Sequence, residues 1–211
     1  MGLDWNPGPR PKKEYEDEFE RLWKKLQNPN CWFKKGKEKR FSEITETAFD
    51  TLNAPAVGKD PETKAWVVVI FERRVDKSIT FDEFEHKMNG FRVLDLVPKC
   101  DGIPMYSNGS PGGYVEAYSF RGEFLKDCSD IMGKMIFESA WESKLPEETV
   151  VYGRKLINCA NEFAEVHGIP KDYVLDPNDL ESNVYKADVL MAAGKWCVYW
   201  GSRGHWLEAY Y

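Results

Sequence analysis

The sequence predicts a mainly α protein, a single-domain irregular helical bundle of about seven or eight helices. At most one short strand is expected, near 91–97, with a long Gly/Pro-rich loop at 98–118. Three observations carry this. Apolar residues recur at helical spacing over several long stretches. Helix start and stop residues bracket those stretches. From Pro98 to Gly113, seven of sixteen residues are Gly or Pro, which argues against any helix or strand crossing that stretch.

The elements follow in order. Residues 1–12, with Pro7, Gly8, Pro9 and Pro11, form an extended lead-in. From Lys13 to Gln27, Tyr15, Phe19, Leu22, Trp23 and Leu26 share one face of a helix, and Asp17/Arg21 and Glu20/Lys24 are acid-before-base pairs on the other. Asn28-Pro29-Asn30 ends it. A basic loop with Lys34, Lys35, Lys37, Lys39 and Arg40 follows Trp32 and Phe33, and a second helix is expected from Ser42 to Asn53. The segment 61–76 contains Trp66-Val67-Val68-Val69-Ile70-Phe71, a strand by composition. Asp60-Pro61-Glu62 is a helix start, and the reading adopted is helix. Thr80 caps Phe81–Asn89, and Gly90 closes it. After the loop, Ser119 caps a helix through Phe120, Phe124, Leu125 and Cys128, and another covers Ile131 to Glu142. Pro146-Glu147-Glu148 opens a long helix ended by Gly168 and Pro170. The last helix runs from about Asn178 to Trp200 and is apolar almost all round in its second half, which predicts the central buried helix. Trp206, Leu207, Tyr210 and Tyr211 pack the tail back.

The totals bound the function. A chain of 211 residues fits one domain, 1–211, and is long enough for a core without disulfide or metal. The apolar share of 42% and charged share of 30% suit a soluble protein. A net charge of −6 argues against a broad nucleic-acid surface. No apolar run long enough for a membrane span occurs, and the N-terminus lacks the pattern of a secretory leader. Five widely spaced cysteines without a Cys-x-x-Cys pair read as reduced thiols, which places the protein in the cytoplasm.

Chemistry-bearing residues concentrate between Asp95 and Asp127. A glycine-rich backbone there presents several N–H groups to one concavity, which favours anions. Asn108-Gly109 is a turn signal, and Arg121, on the first turn of the expected helix, offers a fork to a carboxylate or phosphate. The leading expectation is therefore a small polar or anionic ligand bound by Asn108, Tyr114, Arg121, Asp95 and Asp127. The alternative packing role pairs Arg121 with one of the nearby aspartates. An enzymatic reading uses Asp101 or Cys100 with His205, as a hydrolase in which His205 activates the thiol or an acid. Asp101 beside Cys100 works against a thiolate, and the acid spacing does not match a calcium loop. A third reading is a protein-interaction module without a small-molecule site, which predicts an exposed aromatic patch. The Trp32–Arg40 segment can stack a base and hold phosphates, or stand as a solvated loop. The Trp196/Trp200/Trp206 group reads as core. No metal site, no cofactor motif, no nucleic-acid partner and no membrane partner are expected; a homodimer is the assembly this reading allows.

Overall fold

The computed structural model describes residues 2–28, 30–74, 78–97, 106–107, 114–115, 118–173, 179 and 182–211. In chain order it contains β1 (Asp4–Pro7), β2 (Arg10–Pro11), α1 (Glu16–Leu26), α2 (Lys34–Ile44), β3 (Thr45–Glu46) and α3 (Ala48–Thr51). Then come α4 (Thr63–Arg73), α5 (Phe81–Met88), β4 (Tyr106–Ser107), β5 (Tyr114–Val115), β6 (Phe120–Arg121), α6 (Ser129–Glu138), α7 (Pro146–Val166), α8 (Asn183–Gly201) and β7 (Leu207–Tyr210). The protein is mainly α. Its chain groups into two compact units, one formed by 47–99 and the other by the remainder.

The larger unit is built on α7 and α8. Their backbones touch. A Cβ placed on Gly153 would lie 2.7 Å from the Gly194 carbonyl oxygen, and one on Gly194 would lie 2.7 Å from the Gly153 carbonyl oxygen. One turn cluster further along, a Cβ on Gly201 would lie 2.7 Å from the carbonyl of Pro146. Gly153 and Gly194 face each other, as do Pro146 and Gly201, each pair seven residues from the next on both helices. That spacing is the heptad of an antiparallel coiled pair whose contact residues are small. The same register sets Ala160 opposite Ala187, and both are buried. Twelve residues of α8 are buried, including Leu190, Trp196 and Trp200, so it is the central helix the sequence predicts.

Around this pair lies a three-stranded antiparallel sheet in the order β6-β1-β7. Trp5 pairs with Ala209 on one side and Phe120 on the other. Its ring is fully buried, stacks on Phe120 at 5.1 Å and meets Tyr152 edge-on at 5.8 Å. The indole N–H donates to the Ala140 carbonyl at 2.8 Å, which satisfies its one polar atom. The extended lead-in is thus a central strand, and its signal was the alternation of Leu3, Trp5 and Pro7, all buried. Lys144 joins the tail to α7. Its backbone pairs with Leu207, and its buried ammonium donates to the carbonyls of Ser139 and Glu142 while standing 4.5 Å over the Tyr152 ring. Burial pulls its pKa down.

A second cluster in this unit packs Phe19 and Trp23 of α1 against Ile44 and Trp206. In the 47–99 unit, Val57, Val67 and Val93 form the core, with Trp66, Phe81, Phe84 and Met88 around it. Within the segment 61–76 the described residues from Thr63 to Arg73 form α4, so the proline-acid start outweighs the strand composition. Thr80 caps α5 reciprocally with Glu83, and Gly90 follows at φ +83°.

Four expectations are corrected. The basic stretch 34–40 is helix, and Ser42 lies inside α2 rather than capping it. The Ser42–Asn53 helix is split because Thr45 turns extended and Thr47 caps α3 through a capping box with Asp50. Residues 91–97 form one isolated bridge, Ala56 to Arg92, and a 3-10 turn at Leu94–Leu96. The segment after Ser119 begins as β6 and continues as a 3-10 helix, Gly122–Cys128, because Phe120 is drawn into the sheet beside Trp5. Within 98–118, Tyr106–Ser107 and Tyr114–Val115 pair as a short antiparallel ladder that brackets the Asn108-Gly109 turn signal.

Introducing a methyl group at Gly153 or Gly194 is expected to cost about 1–3 kcal/mol through overpacking. Urea unfolding of Gly153→Ala, Gly194→Ala and the control Gly36→Ala checks this. A Cβ on Gly36 meets nothing within 4 Å, so the control should keep or raise stability.

Candidate functional site

The expected 95–127 site is only partly within the described residues. Cys100, Asp101 and Asn108 lie outside them, and of Tyr114 only the backbone, paired with Ser107, is described. Asp95 belongs to the 47–99 unit, on the Leu94–Leu96 turn, where its carboxylate accepts from the Trp66 indole N–H at 2.9 Å. Arg121 is on β6 opposite Asp4 in register, with Nε 3.8 Å from the Asp4 carboxylate. It is therefore the last residue of β6 and stands at the N-cap of the 3-10 helix Gly122–Cys128, one position before the first helical turn. Asp127 is exposed on the Gly122–Cys128 turn and helps burial push the neighbouring Cys128 thiol up to about 12.

His205 lies in the interior. Its exposure is 0%, its Nδ1 contacts the Gly8 carbonyl at 2.8 Å, and Trp200 meets the ring edge-on at 5.1 Å. The carbonyl can only accept, so Nδ1 carries the proton. Burial lowers the pKa and keeps the ring neutral. A general base needs access to the proton that it removes, and this imidazole has no exposed surface. Its place is to tie the chain around residue 8 to the turn after α8. The buried Cys197 thiol is likewise pushed up by desolvation, which disfavours a thiolate at neutral pH.

Two open clefts are present among the described residues. One, of about 490 Å³, follows the solvent face of α1 between Asp17, Glu20, Arg21 and Lys24, with Lys24 bridged to Glu20 at 2.5 Å. The other, of about 280 Å³ in the 47–99 unit, is lined by Asp50, Asn53, Asp60, Glu62 and Arg92. There the Arg92 guanidinium is spent on Asp50 at 2.6 Å and the Ala54 carbonyl at 2.8 Å. Neither cleft contains His or Cys, and no group of three metal-ligating side chains occurs among the described residues.

The chemistry that packing does not explain is at the turn from α1 into α2. Trp32 is 80% exposed and Phe33 86% exposed, side by side. Phe33 has φ +56° and ψ +42°, a left-handed conformation that costs a side-chain-bearing residue about 1–2 kcal/mol. Immediately behind it, α2 begins Lys34-Lys35-Gly36-Lys37, with no acid in the first turn and no side-chain cap. Cations there oppose the helix dipole. Gly36, mid-turn and without a close neighbour, gives up about 0.5–1 kcal/mol of helix stability relative to Ala.

The base of α2, by contrast, is held firmly. Arg40 grips Glu18 of α1 with two bonds at 2.8 Å, which holds the Glu18 carboxyl below its usual range. Arg40 also covers Tyr15, Phe41 stacks on Phe19 at 5.2 Å, and Ile44 is buried. The turn itself is closed by Asn28, whose side chain accepts from the Asn30 N–H and whose carbonyl accepts from Cys31. Lys37 folds back to the Cys31 sulfur at 3.3 Å and to the Trp32 carbonyl. Lys34 is 3.8 Å from Glu38, while Lys35 and Lys39, one turn apart on the same face, form no ion pair among the described residues. The result is a stalk anchored at its base and ending in two bare rings with ammonium groups behind them. The sequence placed these residue types together but gave them as a loop.

No family model, curated protein or solved structure matches this chain.

The neutral, buried His205 gives a signed pH dependence. Its unfolded value is about 6.5 and its folded value is lower. Below about pH 6.5 the unfolded chain takes up a proton that the native state refuses, so stability falls with pH in that window. Chemical denaturation at pH 7.5 and 5.5 should show a smaller acid loss in His205→Gln than in the native sequence, although His205→Gln starts less stable.

Proposed function

We propose that this protein is a binding module that engages an anionic macromolecular surface through the α1–α2 tip, Trp32 to Lys39. The observation that carries this reading is the adjacent exposure of Trp32 and Phe33 on a backbone that is unfavourable for phenylalanine. Unfavourable local choices persist where they serve something other than folding. Here an exposed pair of rings, a left-handed Phe33, lysines at the wrong end of a helix and an unpacked Gly36 fall within six residues. Exposed tryptophan is a frequent anchor of recognition surfaces, and charge beside it steers the encounter.

The small-anion reading of 95–127 is a weaker proposal, because Arg121, on the edge strand β6, already stands beside the Asp4 carboxylate, which competes with an anion. The hydrolase reading has less behind it, because His205 is enclosed. No helix among the described residues is long and apolar enough to cross a membrane. A reducing, cytoplasmic setting accords with free thiols at Cys31, Cys128, Cys159 and Cys197.

Retention on a polyanion such as heparin or polyglutamate at low salt tests the tip. A chain of net charge −6 has no general reason to be held, so retention points to a local basic surface. The Lys35→Glu/Lys39→Glu double variant is expected to elute at least several-fold earlier in salt, with an unfolding midpoint that is not lowered, since an acid at position 35 suits the helix dipole better than lysine. Absence of retention of the native protein on every polyanion would remove this reading.

A further inference from the structure

We propose that the surface met by the tip is an anionic phospholipid bilayer, with Trp32 and Phe33 entering the headgroup boundary and Lys35 and Lys39 meeting lipid phosphates. This rests on the tip reading above and goes further by naming the partner.

Three features favour lipid over another macromolecule. The first is exposure. Rings that are 80% and 86% exposed have almost no protein beside them, so they form a projection and not a groove. Single-stranded nucleic acid is held along a positive groove, and a partner protein would have to supply a pocket shaped to the projection. The interfacial zone of a bilayer accepts amphipathic rings without shape complementarity. The second is the order of residues. The rings stand at the apex and the ammonium groups follow along α2, Lys35 and Lys39 being separated by about 6 Å of helix rise. With the apex at the acyl boundary, both lysines lie within about one screening length, 8 Å, of the phosphate layer. Lys35 and Lys39 form no ion pair among the described residues, so no existing pair has to be broken.

The third is mechanical. The bidentate Arg40–Glu18 pair and the Phe41–Phe19 stack fix α2 to α1, so the projection is already formed before contact. Preorganisation removes the ordering cost that a flexible segment would bear on binding. Charge adds direction. A net charge of −6 repels the rest of the molecule from an anionic surface, while the tip is drawn to it. Attachment is therefore peripheral and salt-sensitive.

Vesicle co-sedimentation of the full chain tests this, using phosphatidylcholine with and without phosphatidylserine. The native protein should partition onto the anionic vesicles, weakly onto the neutral ones, and detach as salt is raised to about 1 M, where screening acts within about 3 Å. Trp32→Ala/Phe33→Ala and Lys35→Glu/Lys39→Glu should each lower partition by about tenfold or more. Trp32 is the single exposed tryptophan of eight, so brominated lipid should quench emission in the native protein, and Trp32→Phe should bind but lose that quenching. Equal binding to neutral vesicles, or anionic binding indifferent to both double variants, would overturn the proposal. Retention on polyglutamate or poly(dT) without vesicle binding would sink the lipid partner and leave the tip reading standing. Failure on both would sink the two together.

Discussion

The packing of α7 against α8 sets what the larger unit can be. Two helices approach until backbone meets backbone only where no side chain intervenes, and here small residues recur every seventh position on both. Close approach brings many atoms into dispersion contact at once, which compensates for what glycine loses in helix propensity. It also fixes register, because a shift of one residue would drive Ile157 or Val150 into a position that accepts only hydrogen. Everything else in this unit is arranged around that fixed pair. The sheet lays Trp5 and Phe120 against it, and Trp196 and Trp200 extend the aromatic layer from α8.

Polar groups inside this unit serve attachment. His205 reaches the Gly8 carbonyl, Lys144 closes the carbonyls after α6, and Thr149 donates to the carbonyls of Lys144 and Leu145 while accepting from the Leu207 N–H. His205 and Thr149 join segments far apart in sequence while the Lys144 ammonium closes a local turn, and each is enclosed, so each meets its partner in low dielectric, where an unmade bond is expensive. The tip of α1–α2 follows the opposite logic. Its rings bury nothing, its lysines oppose their own helix, and only its base contributes to packing.

Much of the helical content was legible in sequence. The 3.6 period of Phe19, Trp23 and their neighbours, the Thr80/Glu83 box and the Pro146 start each encode a local structure that tertiary packing left alone. The sheet was not, because strands of two to four residues are too short to show a period, and their pairing depends on residues two hundred positions away. The heptad of Gly153, Gly194 and Gly201 was present but invisible to a search for large apolar residues, since its signal is the absence of bulk. At the tip, Trp32, Phe33 and the lysines were visible as types. Their helical setting was hidden because the first turn of α2 violates every rule by which a helix start is recognised. The residues between Asp95 and Asp127 offered the richest functional chemistry in the sequence, and the described ones divide between two units, Asp95 in one and Arg121 with Asp127 in the other.

The strand order has a consequence for biosynthesis. β1 lies between β6 and β7, so it acquires both neighbours only when residues 207–210 have left the ribosome. Until then the indole of Trp5 has no finished berth, and nascent chains of every intermediate length carry a sticky amino-terminal ribbon. Completion of this layer waits for β7, and a holdase acting on the emerging chain would find its substrate there.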